Sequence, residues 1–169
     1  MKKMTKIDNK GFSLVELVIV MAIILILGGV AFTGLSLLTS RPVDECARKI
    51  QIVLQGNRNT TMGKFSGSVK FTADANGVYV EEIINGVSDG KVLIGQSGVS
   101  VSVVSRVPGD AATTTTTVGA TPIEVSFNRA DGSLKSQGGG AYITSFVISR
   151  GSTVMTVTVD RLTGRVDLE

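Results

Sequence analysis

Three regimes of apolar and polar positions follow one another along this chain. From Leu17 to Phe32 there is no charged, hydroxyl or amide side chain, and only Gly28 and Gly29 interrupt the bulky residues. The apolar run over 14–38 amounts to about 37 Å of helix, enough to cross a bilayer core. In the second regime Val43, Cys46, Ala47, Ile50, Val53 and Leu54 recur at helical spacing, with Arg48, Gln51, Gln55 and Arg58 elsewhere. That pattern predicts an amphipathic helix from about Val43 to Asn59 whose apolar stripe docks on a sheet. Pro42 stands between the two regimes. It suits the first turn of a new helix, with Asp44 and Glu45 at the positive end, or it kinks a single continuous helix.

From Ser68 the period becomes two. Val69, Phe71 and Ala73 alternate with polar residues, Ala75-Asn76-Gly77 is a hairpin turn, and Val78 and Val80 continue beyond it. Asn85-Gly86 and Asp89-Gly90 bound the next turn region, and Lys91–Ile94 and Val99–Val104 read as strands. Between Arg106 and Thr121 the run Thr113–Thr117 lies among Pro, Gly and Ala, which favours an exposed loop over an edge strand. Ile123–Asn128 predicts a short strand and Ala130-Asp131-Gly132 its turn. Residues 141–149 and 152–160 predict a long hairpin around Arg150-Gly151, and Thr163-Gly164 turns into a last strand at 165–168. The sum is an α+β chain with seven or eight strands: a long N-terminal helix, part transmembrane and part amphipathic, packed on an antiparallel sheet head.

Charge sharpens the division. The net charge is +3, and residues 1–11 carry all of it: Lys2, Lys3, Lys6 and Lys10 against Asp8. Residues 12–169 balance 13 basic against 13 acidic side chains, so the bulk of the chain has no overall attraction for nucleic acid. Within it, residues 41–70 sum to +4 and residues 71–169 to −3, so the positive part adjoins the anchor and suits anionic headgroups or the negative part of a neighbour. Arg48, Lys49 and Arg58 form the one local basic cluster that invites a binding role. The chain has no histidine, and Cys46 is its only cysteine. Intrachain disulfides and Ser–His or Cys–His nucleophile pairs are therefore absent, and Cys46 reads as a small buried residue. No catalytic residue, cofactor or metal site is implied. The glycine-rich turn from Gln137 to Gly140 precedes a strand, not a helix, so it lacks the context of a phosphate loop.

The physical problem is Glu16, a lone acid at the mouth of the apolar run. An unpaired acid at bilayer depth costs on the order of 2.5–3.5 kcal/mol. The lysines before it place the N-terminus in the cytoplasm and the rest of the chain outside. No small-residue cleavage site ends the run, and the apolar core follows rather than precedes the basic leader's end, unlike a secretory signal.

Gly11-Phe12-Ser13-Leu14-Val15-Glu16, after a short basic leader and before an apolar helix, resembles the processing motif of type IV pilins and type II secretion pseudopilins. The resemblance implies cleavage between Gly11 and Phe12 by a prepilin peptidase, which also N-methylates Phe12. It implies that Glu16 serves assembly by pairing with the terminal amine of a neighbouring subunit. Residues 1–11 are then a leader, 12–40 a transmembrane and filament-core helix, and 41–169 an extracytoplasmic head. Gly11 lacks a side chain, which lets an extended backbone enter a narrow protease cleft. Two departures stand out: Thr33 occupies the stretch where many relatives have a proline, and the C-terminal cysteine pair of many major pilins is missing. Gly28, Gly29 and Gly34 supply close approach or flexibility instead. In the head, Ile123–Gly132 followed by Leu162-Thr163-Gly164-Arg165-Val166 is similar to the C-terminal pattern of H-type minor pseudopilins.

The expected role is a structural subunit of a pilus or pseudopilus and not an enzyme. Its expected partners are the peptidase and methyltransferase, other pilin subunits and, indirectly, the inner-membrane platform and motor ATPase. The expected location is a single-pass membrane protein, then a filament outside the cytoplasm. The competing expectation is a binding module at a filament tip, an adhesin or a DNA-uptake pilin, though the neutral charge gives no direct support for nucleic acid.

Overall fold

A computed structural model describes the backbone of residues 13–63 and 65–169, and the side chains of these residues other than 28–39. The chain divides between Leu37 and Leu38 into two compact units. Helix α1 spans Leu14–Gly63, with Pro42 inside it. Proline has no N–H to donate one turn back, yet it is accommodated here as an interior position and not as a break between two helices.

In the second unit the helical stripe is buried as its spacing dictates. Val43, Cys46, Ala47, Ile50 and Leu54 are fully buried, and Val53 packs at the margin. They face strands of two antiparallel sheets. The first sheet contains β1 (Gly67–Asp74), β2 (Gly77–Ile84), β3 (Val87–Gln96) and β6 (Ile123–Ser126), in the order β3-β2-β1-β6. The second contains β4 (Ser100–Arg106), β5 (Thr113–Thr117), β7 (Tyr142–Arg150), β8 (Thr153–Val159) and β9 (Val166–Leu168), in the order β5-β4-β7-β8-β9. The sheets meet at the core: the rings of Phe71 from β1 and Phe146 from β7 lie 5.1 Å apart, tilted by 51°, a favourable edge-to-face-like arrangement. A 3-10 turn at Gly138–Gly140 precedes β7.

The hairpin turns follow the local chemistry. Asp74 Oδ1 accepts the N–H groups of Asn76 at 2.8 Å and Gly77 at 3.2 Å, pinning the β1–β2 connection. Asn85 and Gly86 both take positive φ, 53° and 80°, the conformation that a two-residue hairpin loop requires. Gly95 lies where β3 passes the helix: a methyl group there would stand 3.0 Å from Cys46 Sγ.

Three expectations are corrected. The strands form two sheets, not one, and number nine among the described residues. Thr113–Thr117 is not a loop but β5, paired with β4 from Ser102↔Thr117 to Arg106↔Thr113. Its β-branched side chains suit an extended edge, and the partner that holds it lies outside the local window. Asp89-Gly90 is not a turn. It sits inside β3, where pairing shifts between Glu81↔Lys91 and Ile83↔Ser88, so Glu82 faces a β-bulge.

Candidate assembly site

Ser13 starts α1. Its Oγ accepts the backbone N–H of Glu16 at 3.2 Å, and its carbonyl accepts Leu17 N–H at 3.1 Å. Ser13 is thus the N-cap, and Ser13-x-x-Glu16 has the spacing of a capping box. This role for Ser13 was available from that spacing, which the sequence reading passed over. Glu16 lies in the first helical turn, where the positive end of the helix dipole favours a carboxylate. Its side chain is exposed and forms no ion pair among the described residues. Gly11 and Phe12, the proposed cleavage point, lie outside the described residues.

After Glu16 the helix exposes apolar side chains on every side. Leu14, Leu17, Val18, Ile19, Met21 and Leu25 are each more than half exposed. Consecutive residues stand about 100° apart around a helix, so no orientation buries one side and wets the other. A helix that is apolar all round belongs in lipid or in the middle of a larger assembly. Among the described residues no helix is long and apolar enough to cross a membrane; described side chains of this first unit end at Leu27, about 20 Å from Leu14. Gly28, Gly29, Thr33 and Gly34, the small-residue positions, have side-chain surroundings outside the described set.

The basic cluster predicted near the start of the second unit is not a free cationic patch. Arg48 pairs with Asp44 at 3.0 Å and Lys49 with Glu45 at 2.8 Å, both one turn apart on exposed helix. Such pairs contribute about 0.3–0.5 kcal/mol each. Their main effect here is to cancel two of the charges that suggested a binding role. Arg58 is directed elsewhere: its Nε donates to the carbonyls of Thr163 at 2.8 Å and Gly132 at 3.3 Å. One guanidinium therefore ties the helix to both glycine turns of the pattern at Ile123–Gly132 and Leu162–Val166. Gln51 and Gln55 add donors to the Val166 carbonyl at 3.3 and 2.9 Å. Sequence reading identified these turns but not their clamp, because a cation hydrogen-bonded to distant carbonyls leaves no periodic trace.

Cys46 is fully buried. Desolvation, partly offset by Lys49, pushes its thiol up to about 12, so it is a neutral packing group, as its place on the stripe suggests. Glu82 on β2 is shifted upward by burial, against a hydrogen bond from Asn57, with Asp89 across the bulge adding repulsion. Asp160 is shifted downward, chiefly by the Thr163 N–H.

Comparison with known proteins picks out the same N-terminal segment. Residues 7–32 match the family described as the prokaryotic N-terminal methylation motif, the prepilin-type signature of type IV pilins and pseudopilins. No curated protein and no solved structure matches the chain. The motif points to a structural subunit and implies processing by a prepilin peptidase and assembly with other pilin subunits. The match does not extend to the head pattern at Ile123–Gly132 and Leu162–Val166.

Proposed function

We propose that this chain is a structural subunit of a type IV pilus or a type II secretion-like pseudopilus, in a minor position. The observation that carries the reading is the methylation motif at residues 7–32 joined to a capped helix that exposes apolar side chains all round. In the precursor, the lysines of residues 1–11 hold the leader at the cytoplasmic face, and residues 12–40 anchor the chain in the membrane. Cleavage between Gly11 and Phe12 removes the entire net charge of +3 and creates a cationic amine at Phe12, which is then methylated. Glu16 becomes the fifth residue of the mature chain, without a cation of its own beyond that amine. A neighbour's terminal amine offsets the cost of burying it, and the low dielectric of a helix bundle makes the attraction strong. The acid thus sets register: only a neighbour at the correct height satisfies it. The apolar helices gather into a core and the heads cover it, which makes the subunit's work mechanical.

A tip-binding role as adhesin or DNA-uptake pilin has less support, since Arg48, Lys49 and Arg58 are engaged within the fold.

The test is intact-mass analysis of the chain produced with and without its peptidase. The expected mature species begins at Phe12 with one added methyl group, and Gly11→Leu retains the full leader. Glu16→Gln is expected to be cleaved normally and to be lost from filaments. A mature chain that still begins at Met1, or normal filaments from Glu16→Gln, overturns the corresponding step.

A further inference from the structure

Two apolar features of the second unit remain open to solvent. The first is the tip of the Asp160–Gly164 turn, where Leu162 is 68% exposed. The turn is rigidly pinned. Asp160 Oδ1 accepts the N–H groups of Leu162 at 3.0 Å and Thr163 at 2.7 Å and the Thr163 hydroxyl at 2.8 Å, while the Asp160 carbonyl accepts Gly164 N–H at 2.8 Å. Arg58 holds it to the helix from beneath. A fixed leucine presented to water gains nothing for the monomer. Arg161 and Arg165 flank it. The Arg161 guanidinium lies 5.1 Å from the centre of the Tyr142 ring, and Arg165 pairs with Asp167 while its side chain stays 73% exposed.

The second is a groove of about 210 Å³ between α1 and the β2–β3 hairpin. Ile52, Val53, Val80, Val92 and Ile94 supply its apolar walls, and Ile52 and Val92 are themselves 66% and 58% exposed. Its rim carries Glu82 and Asp89, brought together by the bulge in β3. Among the described residues the only cation on the rim, Lys49, is already paired with Glu45. The rim therefore presents two neighbouring acids, one of them half-buried, with no cation of their own.

We propose that Leu162 of one copy of this chain inserts into the groove of a second copy, with Arg161 and Arg165 meeting Glu82 and Asp89. Knob and hole match in chemistry: an aliphatic side chain beside Arg161 and the largely exposed Arg165, which exchanges its Asp167 pair for the partner's acids, and an aliphatic slot beside two anions. They match in size, since an apolar cavity of about 150 Å³ already holds benzene. The arriving arginines also relieve the repulsion between the two carboxylates, which a small neutral ligand does not do.

The geometry on one molecule decides the type of contact. The groove meets α1 at Lys49, Ile52 and Val53, and the turn meets it at Arg58. At 3.6 residues per turn these sites lie on nearly opposite sides of the helix, and about 10 Å apart along its axis. The knob and the hole are different surfaces, so the contact is heterologous. A heterologous contact whose rotation does not close repeats as an open helical array, which is the form a filament needs. This inference rests on the filament-subunit reading and specifies how neighbouring heads engage.

Cross-linking in assembled filaments tests it. The full-length chain carrying Leu162→Cys with Val92→Cys is expressed with its assembly machinery. Cys46 is left in place because it is buried and neutral. Mild oxidation of sheared filaments is expected to yield a ladder of disulfide-linked multimers from the double variant and none from either single variant. Intact filaments without a ladder overturn the contact and leave the subunit reading standing. Failure of the unsubstituted chain to enter any filament overturns that reading, and the contact with it. If the double variant does not assemble, charge exchange decides. Arg161→Glu and Asp89→Lys are each expected to lower incorporation about tenfold, and their combination to restore it; failure of the combination to restore it overturns the contact.

Discussion

Replacing Gly164 with alanine measures how tightly the helix clamp and the two glycine turns depend on one another. Gly164 has φ of +65°, and a methyl group at this position would run into the Gly132 carbonyl oxygen. The same oxygen accepts Arg58 Nε at 3.3 Å. The left-handed backbone alone costs an alanine about 1–2 kcal/mol. Moving the Gly132 carbonyl also weakens a hydrogen bond from a charged donor, which contributes about 1.5–3 kcal/mol when intact. The expected loss is therefore about 2.5–5 kcal/mol, against a total stability of about 5–15 kcal/mol for an ordinary domain. Gly151 supplies the control. Its φ is +59°, but nothing lies within 4 Å of where its methyl group would go. Gly151→Ala carries the backbone cost alone, about 1–2 kcal/mol. For a unit the size of Leu38–Glu169, each kcal/mol lowers Tm by about 3–5 °C. Thermal unfolding of the full chain in detergent, followed by circular dichroism in the β-sheet band, should show a drop of about 8–25 °C for Gly164→Ala and about 3–10 °C for Gly151→Ala, the first larger by about 5–15 °C. Equal melting of the two variants within about 3 °C would falsify the claim that the turns and the clamp form one packed unit.

Two further outcomes follow from the same structure. Arg58→Ala removes the donor to Thr163 and Gly132 and should cost about 1.5–3 kcal/mol in chemical denaturation; a loss below about 0.5 kcal/mol would show the clamp to be idle. Cys46 is raised from 9.0 to about 12 in the folded chain, so the folded state holds the proton that the unfolded state releases. Its contribution is complete below pH 9 and falls between about pH 9 and 12, with a slope approaching 1.4 kcal/mol per pH unit. The stability difference between the natural chain and Cys46→Ala should shrink over that window, and the thiol should react with an exposed-thiol reagent at pH 8 only after denaturation. Prompt reaction of the native chain would contradict its burial.

The N-terminal chemistry was legible in the residues themselves because it is local. Glycine before phenylalanine, an acid four positions on, lysines behind and an uninterrupted apolar run ahead are properties of one continuous segment. Its match to the methylation motif at residues 7–32 involves no tertiary contact. The same holds for the buried stripe from Val43 to Leu54, where helical geometry alone puts every fourth or third side chain on one face. It holds also for the Asn85-Gly86 turn, where the backbone conformation selects the residue type.

What tertiary structure alone decided is non-local. Thr113–Thr117 has the β-branched shape of a strand and the neighbours of a loop, and only its register with β4 chooses between them. Asp89-Gly90 has the composition of a turn, yet pairing on both sides converts it into a bulge that brings Asp89 to Glu82. Arg58 looks like part of a basic patch until two carbonyls more than seventy residues away share its Nε–H. Leu162 looks like one more apolar residue near the end of a β domain until the fold pins it outward. A single segment's chemistry encodes its own motif and its local conformation. Which strands pair, which charges cancel and which hydrophobic side chain remains unsatisfied depend on what the rest of the chain brings alongside.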